Sequence, residues 1–270
     1  MNILTEIETR DSRNSDVYIY FLGQAGYVLK TPITIVYVDP YLSDYVENPR
    51  GLGEIKMHRN FPPPIDPKKI NLLDAILVTH DHADHMDPWT LQAIPAQYQL
   101  YCTEIAYRNN SVKIKGENIV YVIPGEEYNV KDITVIPILS AHYELYDRET
   151  DKPIGVSFII KTQGKIFYFW GDGIIYHGLL DILKKYSFDY FFAPINGRDW
   201  FRENDNIIGN INVNELVGIS KELDIDYLIP NHFDMFDCNK ENPEHFLWHL
   251  NKENPSKKFR ILGCGEYIKV

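Results

Sequence analysis

Residues 79–87 read Thr79-His80-Asp81-His82-Ala83-Asp84-His85-Met86-Asp87, with His80, His82, Asp84 and His85 inside six positions. Only nine histidines occur in 270 residues, so this concentration is hard to ascribe to a polar loop that happens to contain imidazoles. The preceding run, Asp74-Ala-Ile-Leu-Val-Thr79, is apolar and partly β-branched and predicts a strand over 74–79. The following Asp87-Pro88 offers a capping carboxylate and then proline at the first helical position. The cluster therefore sits on a strand-to-helix turn, held from both sides. Two residues apart at a strand end, His80 and His82 point the same way and can approach one ion. Asp84 and His85 follow after the chain has turned and reach a second point nearby. Neutral imidazole and carboxylate together suit Zn²⁺, Mn²⁺ or Fe²⁺.

Working outward, three other apolar runs end directly on ligand-type residues. Ile133–Leu139 leads to Ser140-Ala141-His142, Ile166–Trp170 to Gly171-Asp172-Gly173, and Asp226–Pro230 to Asn231-His232. Each alone could be a turn or capping residue. Together they place several candidate ligands on one rim, where strand ends converge. The coarse pattern predicts further strands over 17–22, 26–30, 33–38, 99–103, 119–123, 155–161 and 189–194. Helices are predicted over 177–186, 213–223 and 243–252, with a closing strand near 258–262. Residues 46–69 are rich in proline and glycine and predict a long loop, a candidate lid. One layered domain over residues 1–270, with sheets inside and helices outside, is the simplest architecture.

Composition narrows the function. A net charge of −11 argues against a nucleic-acid surface, and no apolar run reaches the length of a membrane span. The start of the chain lacks the basic and apolar regions of a signal peptide. Cys102, Cys238 and Cys264 are scattered and odd in number, which fits a reducing, cytoplasmic setting. A homo-oligomer is compatible with the sequence but nothing in it specifies one.

His80-Asp-His82-Ala-Asp84-His85, then His142, Gly171-Asp172 and His232, resemble in order the motifs of the metallo-β-lactamase-fold hydrolases. Leu22-Gly23-Gln24-Ala25-Gly26, Val38-Asp39-Pro40, the proline-rich loop and Ile229-Pro-Asn-His232-Phe-Asp look like the L-ascorbate-6-phosphate lactonase-like branch. The resemblance implies an α/β fold of four layers, an αββα sandwich, with the site at one edge. It implies two divalent ions, Zn or Mn: His80, His82 and His142 on the first, Asp84, His85 and His232 on the second, and Asp172 between them. The implied activity is attack by a metal-bridging hydroxide on a small, phosphorylated or plain, lactone or ester, with Asp84 as the catalytic orienter and proton acceptor. The alternative is a phosphodiesterase or nuclease using the same pair of ions. Two divalent cations outweigh the acids around them, so a small anionic substrate remains compatible with an acidic chain, whose remote charges are screened.

Metal-bound imidazoles need acceptors for their other N–H, and Asp39 and Asp234 are the candidates. For substrate contacts, the stretch Asn196-Gly-Arg198-Asp-Trp-Phe-Arg202 offers Asn196, Arg198 and Arg202, since arginine forks suit phosphate or carboxylate. Arg202 could equally pair with Asp199, Glu203 or Asp205. Arg50, His58 and Arg59 are alternatives from the long loop. His245 and His249 have a zinc-like spacing but lack an HExxH pattern and are read as helix residues of no metal role.

Overall fold

The computed structural model describes residues 3–10, 15–110, 118–140 and 142–270. Two seven-stranded sheets face one another. The first contains β1 (Tyr18–Gly23), β2 (Gly26–Lys30), β3 (Ile35–Val38), β4 (Ala75–Leu77), β5 (Gln99–Cys102), β6 (Ile119–Tyr121) and β14 (Tyr267–Lys269), in the order β14-β1-β2-β3-β4-β5-β6. The second contains β7 (Tyr128–Val130), β8 (Ile133–Ser140), β9 (Gly155–Thr162), β10 (Lys165–Phe169), β11 (Phe188–Pro194), β12 (Ile225–Asn231) and β13 (Lys258–Phe259), in the order β13-β12-β11-β10-β9-β8-β7. Helices α1 (Ile3–Thr9), α2 (Pro88–Ala93) and α3 (Glu104–Asn110) cover the first sheet. Helices α4 (Leu179–Leu183), α6 (Val213–Glu222) and α7 (Pro243–Glu253) cover the second, while the short α5 (Trp200–Asn204) lies in a connection. The expected four-layer αββα sandwich is thus present.

Strand β1 illustrates why the sandwich forms. Ile19 and Phe21 enter the core between the sheets, whereas Tyr18, Tyr20 and Leu22 pack under the helices. Both faces are buried, so the strand is a continuous apolar run rather than an alternating one. The core between the sheets is strongly aromatic, with Phe169 stacked on Phe192 at 4.5 Å and Tyr27 4.7 Å from Phe192.

Strand direction positions the site. Strands β10, β11 and β12 are mutually parallel, and β8 runs the same way because β9 is antiparallel to both β8 and β10. The C-terminal ends of β8, β10 and β12 therefore share one rim. In the first sheet β3 and β4 are parallel and end on the same side. Two backbone hydrogen bonds join the rims: Val156 N–H to Thr79 O at 2.8 Å, and His232 N–H to Gln24 O at 2.9 Å.

Boundaries differ from the sequence pattern in physically understandable ways. The strand expected over 74–79 ends at Leu77, so His80 and His82 lie on the turn itself. The helix expected over 177–186 shrinks to Leu179–Leu183, and the strand near 258–262 to Lys258–Phe259, which pairs with β12, while the last strand of the chain is β14, paired with β1. The 46–69 loop contains two single 3₁₀ turns, Ile55–Met57 and Pro67–Lys69. Capping at α2 follows expectation: Asp87 accepts from the N–H groups of Trp89 and Thr90, with Pro88 in the first turn. No helix among the described residues is long and apolar enough to cross a membrane.

Candidate metal centre

The seven candidate ligands from four separate segments come together as two groups. His80, His82, His142 and Asp172 form one, and Asp84, His85 and His232 the other, with the ligand atoms of each group within 4.8 Å of one another. Asp172 spans the two. Its Oδ2 lies 3.7 Å from His142 Nε2 and 4.0 Å from His80 Nε2, while its Oδ1 lies 3.3 Å from His232 Nε2 and 3.4 Å from His85 Nε2. Asp84 Oδ2 stands 3.6 Å from His232 Nε2 and 3.8 Å from His85 Nε2.

The far sides of three rings are fixed. His85 Nδ1 donates to Asp39 Oδ2 at 2.8 Å. The Thr79 hydroxyl donates to the same oxygen at 2.6 Å, so it must accept from His80 Nδ1, 3.0 Å away. His142 Nδ1 donates to Gly209 O at 2.8 Å. Each ring therefore turns its Nε2 inward, the atom through which an imidazole deprotonated there ligates a metal. Those three Nε2 atoms and Asp172 Oδ1 are buried without a hydrogen-bond partner. Several unsatisfied acceptors facing one another are costly in a buried site, and divalent cations relieve that cost. The donor set, all imidazole and carboxylate, fits zinc or manganese.

Electrostatics differ between the groups. Burial, reinforced by His85 and His82, holds the His80 imidazole well below its ordinary pKa, and burial lowers that of His142 to about 4. Burial also depresses His85 and His232, but Asp172 and Asp84 outweigh it, leaving His85 well above the ordinary value and His232 at about 9. Burial pushes the Asp84 and Asp172 carboxyls up, but the adjacent His85 and His232 hold both below the usual carboxylate range.

Two residues at the centre were read only as parts of motifs, with no role of their own. Gln24, buried at φ +55°, donates to Asp84 Oδ2 at 2.7 Å and places its Nε2 2.9 Å from His232 Nε2. The signal was a polar residue in the Gly23-Gln24-Ala25-Gly26 stretch, which entered only the lactonase-like resemblance. Gly171 sits at φ +68°, and a Cβ there would lie 2.6 Å from the Thr79 side chain, so glycine lets β10's end nest against the His80 turn.

Expected partners of the centre fare unequally. Asp39 is the acceptor for His85. Asp234 is not one for His232: Asp234 Oδ1 and His232 Nδ1 are both buried without partners. Arg198 forms a two-pronged ion pair with Glu215, at 2.8 and 2.7 Å, and donates to Asn210 O. Arg202 is tied to Asp199 and to Asn196 O. Asn196 is fully buried, bonded to Asn239 and Asn210, and Asn210 in turn accepts from Gly173 N–H beside Asp172. The structure thus engages Asn196, Arg198 and Arg202 in bracing contacts behind the rim rather than in free contacts facing the centre. Arg59 is also engaged, donating to Ser43 O and stacked over Tyr41.

Two cavities flank the centre, sharing His82, Asp172 and Ile208 in their walls. One, of about 190 Å³, lies against the first group; the other, of about 290 Å³, lies against the second and reaches the 46–69 loop at Glu54, Lys56 and Met57.

A match to the family described as Beta-lactamase superfamily domain spans residues 34–233, covering all seven ligand-type residues. The chain belongs to the beta-lactamase superfamily. Superfamily relatives named UPF0173 metal-dependent hydrolase include one from Korarchaeum cryptofilum, 24% identical over 94% of this chain and 100% of its own length. Another, from Sulfolobus acidocaldarius, is 27% identical over 93% of this chain and 98% of its own. Among solved structures, the superfamily fold is shared with isothiocyanate hydrolase from Delia radicum gut bacteria, at TM-score 0.72 and 16% identity over 93% of this chain and 98% of that one. The names of the two hydrolase relatives state metal dependence and hydrolysis and give no substrate.

Proposed function

We propose that this metal-dependent hydrolase cleaves a small lactone or ester at a pair of divalent cations, zinc or manganese. His80, His82 and His142 would hold one ion, Asp84, His85 and His232 the other, and Asp172 both. The observation that carries this is the division of the Asp172 carboxylate, one oxygen toward each imidazole group. When bound, such ions polarise a substrate oxygen and make water acidic enough to ionise near neutral pH.

The chain's own residues do the rest. Asp84 lines the second cavity with Oδ2 fixed by Gln24, and it orients the attacking water and accepts its proton. Asp39 and Thr79 keep the His85 and His80 rings in register. Ile208, shared by both cavities, bounds the space over the reacting bond.

A carboxylic ester or lactone is favoured over a phosphodiester by charge. Lys56 is the one lysine or arginine among the described residues lining either cavity, and it pairs with Asp205 at 2.8 Å. With Arg198 and Arg202 engaged elsewhere, no arginine among the described residues lines either cavity to receive a phosphate. An anionic substituent, as the lactonase-like resemblance implies, would have to lie on the Lys56 side. Residues 1–270 act in this account as one domain. The test is a panel of a sugar lactone, a simple ester and a generic phosphodiester with the metal-loaded protein. Turnover of lactone or ester that disappears in His82→Ala is expected; preference for the phosphodiester, or full activity in His82→Ala, contradicts the proposal.

A further inference from the structure

We infer that the cavity beside the first imidazole group receives an uncharged apolar group of the substrate, up to a phenyl ring in size, with Ile208 setting its outer limit. The inference deepens the hydrolytic reading and rests on it for the identity of the occupant as substrate.

The walls carry the argument. Beyond the metal-ligand group, the cavity is formed by Tyr143, Ile154, Val156 and Ile208, with Asp81 and Glu144 among the remaining lining residues. Among the described residues no lysine or arginine lines it, so away from the metal-ligand group a carboxylate or phosphate would meet Asp81 and Glu144 and no basic side chain. Gly155, between Ile154 and Val156, leaves the floor without a side chain: a Cβ there would lie 2.9 Å from Ser140 O and 3.1 Å from His80 Cβ. An apolar cavity of about 150 Å³ accommodates benzene, and the space here is about 190 Å³. The opposite cavity carries Glu54, Lys56, Asp205 and Asn206 and suits the polar end of the same molecule. A substrate lying across His82 and Asp172, which both cavities share, would thus bring an apolar group to one side of the reacting bond and its polar part to the other.

Binding and turnover test this separately. Fluorine NMR of 4-fluorobenzyl alcohol reads the pocket without catalysis. Saturable binding to the full-length metal-loaded protein, weakened at least about tenfold in both Ile154→Trp and Ile208→Asp, is expected. Ile208 is 41% exposed, so its substitution leaves the core intact if Ile154→Trp fails to fold. A parallel assay compares methyl phenylacetate with methyl acetate, for which a kcat/KM ratio of about 10–100 is expected. Absence of saturable binding, binding indifferent to both substitutions, or equal turnover of the two esters overturns the inference. Ligand binding that responds to the substitutions, with no ester or lactone hydrolysed, supports the pocket and rejects the hydrolytic reading instead.

Discussion

Replacing Asp39 with asparagine probes the centre through a residue that touches no proposed ion. Asp39 is fully buried and accepts from Thr79 N–H at 2.8 Å, Thr79 Oγ1 at 2.6 Å and His85 Nδ1 at 2.8 Å. Its φ of +43° is a conformation that asparagine tolerates, so the substitution isolates the side chain. An amide has one oxygen. Placed where Oδ2 stands, it keeps Thr79 Oγ1 and His85 but turns an NH₂ against the Thr79 N–H. Placed where Oδ1 stands, it turns the NH₂ against the His85 N–H. Either way at least one charge-assisted bond, of about 1.5–3 kcal/mol, is replaced by two opposed donors. We expect the metal-free Asp39→Asn protein to lose about 2–3 kcal/mol in denaturant unfolding. Metal affinity should fall about 10–100-fold, directly at the His85 group and through Thr79 at the His80 group. Chelator competition reads each step. Affinities within twofold of the unsubstituted protein at both steps would refute the reasoning.

Other expectations follow from the same contacts. Thr79→Val should weaken the ion on the His80 side more than the other, since His80 Nδ1 loses its acceptor while His85 keeps Asp39; equal losses in chelator competition contradict this. Gly171→Ala should destabilise the protein by about 1–2 kcal/mol from its positive φ alone, with more from the Thr79 clash, and an unchanged unfolding midpoint refutes it. Arg198→Ala should lower stability by about 1–2 kcal/mol through loss of Glu215 and leave KM for an ester unchanged, whereas a raised KM with intact stability would return Arg198 to the substrate. In the metal-free protein, raised imidazole pKa values at His85 and His232 favour the folded state below pH about 6.5. That contribution is lost as pH rises through about 9 for His232. Because metal must displace those protons, affinity on the second side should climb between pH about 6.5 and 9. The His80 and His142 rings, shifted downward, add no such slope on the first side. Parallel pH slopes for the two ions would contradict this.

The chain announced its centre because ligand-type residues stand at the ends of apolar runs, and strand direction alone then gathers them. The Asp87-Pro88 helix start was legible for a local reason, since a cap and its helix are neighbours in sequence. Helices α1, α3 and α5 were not, being only five to seven residues long and too short to display a period. The pairing of Arg198 with Glu215 joins a connection to α6, and the reach of Gln24 to Asp84 spans 60 residues, so neither is encoded in local pattern. Asp234 shows the converse: a carboxylate suited by type to accept from a metal-bound imidazole leaves its Oδ1 buried without a partner, and His232 Nδ1 is buried without one too.

Metal stoichiometry tests the central claim most directly. After loading with zinc or manganese and desalting, elemental analysis of the unsubstituted chain should give two ions per chain, and His142→Ala and His232→Ala should each retain about one. Failure of the unsubstituted chain to retain metal, or full retention by both variants, would contradict a dinuclear centre divided at Asp172.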